Sequence, residues 1–177
     1  MKLKINLHTS ICTLAALFFS MLLITCGTSK NESIELSLEQ QQIKPLEISK
    51  NFYDAVKNGG NADKYAKQLA ELSPEVLKNT LKTDTQKKAF WLNTYNTYVQ
   101  YLLKDNPDLY KDRSAFFKEK RFVIVGEEVS LDILEHGLLR NSRIKASLGY
   151  VKDPFPSSFE KDFRVEEIDW RIHFALN

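Results

Sequence analysis

Cysteine is nearly missing from this chain: among 177 residues only Cys12 and Cys26 occur. That excludes a disulfide-stapled miniature domain and a four-cysteine zinc site. Glycine and proline are also scarce, at six and five residues, which rules out collagen-like or linker-dominated architecture. Neither charge sign is in large excess, with 25 Lys and Arg against 23 Asp and Glu. Lys2 and Lys4 lie in a segment read below as removed, so the remainder is formally neutral. No net field draws in nucleic acid, and none is expected as a partner. Internal repeats and low-complexity blocks are lacking too. What is present, 43% hydrophobic and 27% charged residues, is the mixture of one soluble globular domain.

Lys2 and Lys4 precede an uncharged, largely apolar run from Ile11 to Ile24. A short positive region before such a run reads as a secretory signal peptide. A membrane-spanning helix needs about 20 apolar residues, and reaching that length would take in His8, Thr9 and Ser10. Leu23-Ile24-Thr25-Cys26-Gly27 resembles the bacterial lipobox, with Thr25 where a smaller residue is usual. The resemblance implies a lipoprotein signal peptide over residues 1–25, lipidation of Cys26, and a lipid-anchored envelope protein. Gly27 points to the outer membrane. Acyl burial at about 0.8 kcal/mol per CH₂ makes two or more chains a stable membrane anchor. Residues 26–44 are then a polar tether. With Cys12 removed and Cys26 acylated, the mature chain has no free thiol.

From Pro45 the pattern predicts successive helices. Pro45 suits a first helical position and Gly59-Gly60 a stop; Ser73-Pro74 starts another helix, and Thr83-Asp84 opens a longer one ending near Asn106-Pro107. Phe122 to Val125 reads as a strand, with Gly126 in a turn toward a short return at Val129. Ser130 caps a helix from Leu131 to Arg140, and residues 141–162 read as loop.

Three constellations carry the functional reading. Ala89 to Leu103 contains no charged residue, as expected of a buried central helix. Its polar exception is a stripe of Asn93, Asn96 and Gln100, either a structural network tying loops to the helix or the wall of a polar cleft. On the next helix Asp132, His136 and Arg140 recur at fourth-residue spacing, and Glu135 lies close to the apolar face. Such a helix side is a solvated charged face or an acid–imidazole pair fit for general-base chemistry. Finally, Ile168 to Leu176 alternates apolar residues with Asp169, Arg171, His173 and Ala175, which predicts a last strand at the C-terminus. The sequence stops one residue later without a polar fray, which reads as a domain cut short. No HExxH-type spacing occurs, and no metal or cofactor is expected.

Phe90-Trp91-Leu92-Asn93-Thr94-Tyr95-Asn96, Ser130 to Arg140, and Asp169 to Asn177 together resemble the domain-of-unknown-function 547 family, from roughly Phe52 onward. Trp170 stands where a proline is common. The family occurs in bacterial lipoproteins, and the resemblance implies an α+β fold. A helix-rich N-terminal half would pack on a small, mostly antiparallel sheet, compatible with a papain-like arrangement. Residues 45–177 would be a partial domain. The resemblance further implies a cysteine directly after Asn177, which with His136, Glu135 and His173 would make a thiol site. Asn93, Asn96, Gln100, Arg140 and Arg171 are the candidate binding residues. Three functions follow: a truncated, non-catalytic envelope lipoprotein; a thiol hydrolase or transferase completed beyond Asn177; and a non-enzymatic lipoprotein that binds a small ligand or a protein.

Overall fold

The computed structural model describes residues 44–147 and 149–176. The expected signal peptide, Cys26 and nearly all of the tether lie outside the described residues. Helix α1 (Pro45–Asn58) begins with Pro at its first turn and ends at Gly59, whose φ of 77° suits a residue without a Cβ. Helix α2 (Ala62–Ala70) is capped by the Asn61 side chain, and α3 (Pro74–Thr80) by Ser73. Thr83 and Gln86 form a capping box at the start of α4 (Asp84–Asp105). Every one of these stops and starts follows the sequence pattern. A 3₁₀ turn (Pro107–Lys111) and α5 (Arg113–Lys118) lead into the hairpin.

Strands β1 (Phe122–Ile124) and β2 (Glu127–Val129) pair antiparallel, with Phe122 opposite Val129. Val125 and Gly126 both take positive φ, 55° and 75°, as a two-residue hairpin turn of the I′ kind requires. Valine is a strained choice there. The turn is held because the N–H groups of Val125 and Gly126 donate to the Leu69 and Ala70 carbonyls at the end of α2, both at 2.9 Å. The same contacts satisfy carbonyls that the helix end would otherwise leave unpaired.

Helix α4 is the centre of the described residues. Phe90, Trp91, Tyr95 and Tyr98 are buried along it, and Phe52 of α1 meets Tyr98 edge-on with ring centroids 5.0 Å apart. Phe90, which even helical spacing places away from the Trp91 face, is fully buried as well. The central-helix expectation holds.

Three expectations for the second half change. The helix after Ser130 is a seven-residue π-helix, Ile133–Leu139. The segment read as loop contains a 3₁₀ turn (Lys145–Ser147) and helix α6 (Ser158–Phe163). The last strand is not a strand. Residues 170–171 turn, and α7 (Ile172–Ala175) follows. The Asp169 carboxylate accepts the Arg171 N–H at 3.1 Å, and the Asp169 carbonyl accepts that of Ile172, also at 3.1 Å. These local bonds close a turn that competes with extended backbone. Ile172 alone of the expected core face is fully buried, while Trp170 and Phe174 are 70% and 83% exposed. The fold is α+β, with a helical N-terminal half and a two-stranded antiparallel sheet.

Candidate functional site

The π-helix decides which side chains meet. An α-helical reading stacks Asp132, His136 and Arg140, whereas the wider turn of i→i+5 bonding also brings residues five apart toward one side. Arg140 accordingly reaches Glu135, Nη2 to Oε1 at 2.7 Å, with both side chains under one-fifth exposed. Asp132 turns instead to Lys145, at 2.8 Å and 3.1 Å from its two oxygens. The helix closes with Asn141 and Ser142 at positive φ and the Ser142 N–H on the Gly137 carbonyl at 2.8 Å. Gly137 allows close packing: a Cβ there would stand 2.9 Å from Glu160 Cγ of α6, and that side chain would have to shift.

His173 comes from the far end of the described chain. Its ring lies against the Arg140 guanidinium, with Nη2 3.0 Å from Nδ1 and Nη1 3.3 Å from Nε2. Arg140 donates to whichever nitrogen carries no proton. The helix α7 that bears His173 is tied to α4 by Asn96 Nδ2, which donates to the Ala175 carbonyl at 2.8 Å. His136, His173, Glu135 and Arg140 thereby line one cavity of about 290 Å³, together with Tyr95, Phe117, Asp132, Lys145 and Gly149.

The electrostatics are those of a half-buried polar site. Burial pushes the His136 imidazole below its ordinary range. Glu135 and Asp132 pull it back up, and Arg140 and Lys145 oppose them. Burial first, then the charges of Glu135 and Asp132, raises the Tyr95 phenol well above the usual range, so it stays a hydrogen-bond donor. Glu135 Oε1 is 3.8 Å from His136 Nε2, too far for a hydrogen bond but near enough to act as a charge. His136 Nδ1 and Arg140 Nε are sealed from solvent with no partner among the described residues. Each such group costs about 1–3 kcal/mol, which a packed helix tolerates only where neighbouring bonds compensate.

The sequence profile of the family described as "Protein of unknown function, DUF547" matches residues 79–177. The chain belongs to the DUF547 family. Every residue lining the cavity falls within the matched span, so the site is a property of the DUF547 part of the chain. Helices α1 and α2 precede it. The chain has no match among curated proteins or solved structures.

Not every candidate lies at this site. Asn93, Asn96 and Gln100 are outside the lining, and Asn96 acts through the backbone of α7. Arg171 pairs with Asp169 at 2.6 Å and lines a separate groove with Lys88 and Ile172. Tyr95, Phe117 and Lys145 line the cavity although sequence reasoning did not select them. Tyr95 carried only a faint signal, as one of five hydroxyl-bearing residues in the charge-free stretch 89–103. Lys145 carried none. Among the described residues no three His, Cys, Asp or Glu side chains converge for a metal.

Proposed function

We propose that this chain is an envelope lipoprotein, acylated at Cys26, whose DUF547 domain holds a small polar ligand without turning it over. The observation that supports the reading is the convergence of His136, His173, Glu135 and Arg140 on one cavity. A concave site with a few converging polar groups is the usual form of a ligand pocket. Among the described residues there is no cysteine for either imidazole to activate. The anchor and the polar tether would keep this pocket beside the membrane, within reach of envelope-borne ligands. Ligand-observed NMR on the full acylated chain in detergent, with a library of small polar fragments, tests the binding. Hits that vanish in His173→Ala and persist in Lys57→Ala, outside the cavity lining, are expected; no hit sensitive to His173 would sink the reading. Metabolic labelling with palmitate, expected for the native chain and lost in Cys26→Ser, tests the anchor.

A second reading is favoured by His136. Burial keeps this ring mostly uncharged at neutral pH, the state a thiol's general base requires. On that reading the domain is a papain-like thiol hydrolase or transferase whose nucleophile is encoded after Asn177. Intact mass of the protein from its native cells separates the two. A mature chain ending at Asn177 supports ligand holding. A longer chain with a cysteine alkylated at neutral pH, more slowly in His136→Ala, supports the thiol enzyme.

A further inference from the structure

The charged side chains on the cavity wall form two ion pairs, Lys145–Asp132 at 2.8 Å and Arg140–Glu135 at 2.7 Å. Asp132 immediately precedes the π-helix and Glu135 lies within it, and both cations arrive from residues after it. The side chains of Asp132, Glu135 and Arg140 are 19%, 18% and 13% exposed, so three of the four charges are largely out of water. With uncharged imidazoles the wall has a net formal charge of zero. A ligand with one charge gains a partner but leaves the displaced member of a pair half-buried and unpaired. That penalty is of the kind that separates good ligands from bad ones in polar sites. A ligand carrying both signs exchanges into both pairs at once and strands neither member.

Size narrows the class further. The cavity, about 290 Å³, lies at the small end of ligand pockets, which span roughly 300–1,000 Å³. Tyr95 and Phe117 give it two aromatic walls against which a short side chain can lie. We propose that the cavity takes a compact zwitterion, with an α-amino acid as its simplest form. The carboxylate would face Arg140 and Lys145, and the ammonium Glu135 and Asp132. The proposal rests on the ligand-binding reading above and gives that reading a chemical class.

Four probes of similar shape isolate the charge requirement: L-alanine, isobutyrate, isopropylammonium and isobutyramide. Each is titrated to millimolar concentration into the full acylated chain in detergent, with the imidazole resonances of His136 and His173 as readout. L-alanine is expected to shift both rings saturably. The other three should bind at least about tenfold more weakly, a difference of about 1.4 kcal/mol. Lys145 is half-exposed at the rim, so Lys145→Gln should fold normally and weaken L-alanine about tenfold. Isobutyrate or isopropylammonium binding as tightly as L-alanine would overturn the zwitterion and leave a ligand site standing. Silence from all four overturns the assignment too, and the fragment library then decides the broader reading separately.

Discussion

Helix α4 meets its two neighbours by different physics. Against α1 it buries rings: Phe52 packs edge-on to both Tyr98 and Tyr101. Against the chain from Phe163 to Ala175 it reaches out with polar groups. The Asp84 carboxylate accepts the N–H groups of Glu166 and Glu167, and Lys87 Nζ donates to the Arg164 carbonyl at 2.7 Å. Trp91 Nε1 donates to the Phe163 carbonyl at 3.0 Å, Lys88 pairs with Asp169, and Asn96 holds Ala175. Apolar burial is non-directional and supplies most of the stability. Hydrogen bonds contribute less but fix register. Phe163 meets Trp91 edge-on and Val165 is fully buried, but beyond them only Ile172 enters the core while Trp170 and Phe174 turn outward, so bonds of one residue each decide where His173 sits. The site is built on the more weakly held side of the molecule.

Removing the apolar side should be the larger insult. Phe52 is fully buried, and Phe52→Ala is expected to cost about 3–5 kcal/mol, read as a lowered urea midpoint for the whole domain. Arg140→Ala should cost less, about 2 kcal/mol, because it leaves Glu135 half-buried without its partner. A loss as large as that of Phe52→Ala would mean the site is part of the core and would break the contrast.

Acid should act through the site before it acts through the core. The His136 imidazole is depressed in the folded chain, so the unfolded chain binds its proton first as pH falls. The stability this ring contributes is complete above the ordinary imidazole value of about 6.5. It is lost as pH drops from there toward the lowered folded value. Urea midpoints measured across that window should fall for the native chain and fall less in His136→Ala; equal slopes would contradict the assignment. Smallest of all is Asn96→Ala, expected to cost about 1 kcal/mol. Amide exchange should quicken in α7 and stay unchanged in α1; uniform quickening would show that the two interfaces unfold together.

Caps and stop signals made the helical half legible, because Pro45, Gly59, Ser73, Thr83 and Asn106 act within a few residues of themselves. The hairpin was legible for the same reason. The C-terminal helix was not, since alternation over Ile168 to Leu176 carries no information about a missing partner strand, and the Asp169 turn overrides it. Helix α6 did leave a trace, Ser157 three residues before Glu160, a capping pattern overlooked among neighbouring prolines. Glu135, His136, Arg140 and His173 were selected and do meet. Their pairing was not legible, because the wider turn of a π-helix brings Arg140 within reach of Glu135, five residues away, and no local motif announces it. Lys145 reaches the site only through the fold of residues 141–147.

The account depends on two imidazoles, from distant parts of the sequence, sharing one cavity across Arg140. NMR titration of the His136 ring in the native chain and in His173→Ala tests this most directly. The native ring should titrate below the ordinary imidazole range, and its midpoint should rise toward that range once loss of the second ring admits water. An unchanged midpoint in His173→Ala would contradict the shared site.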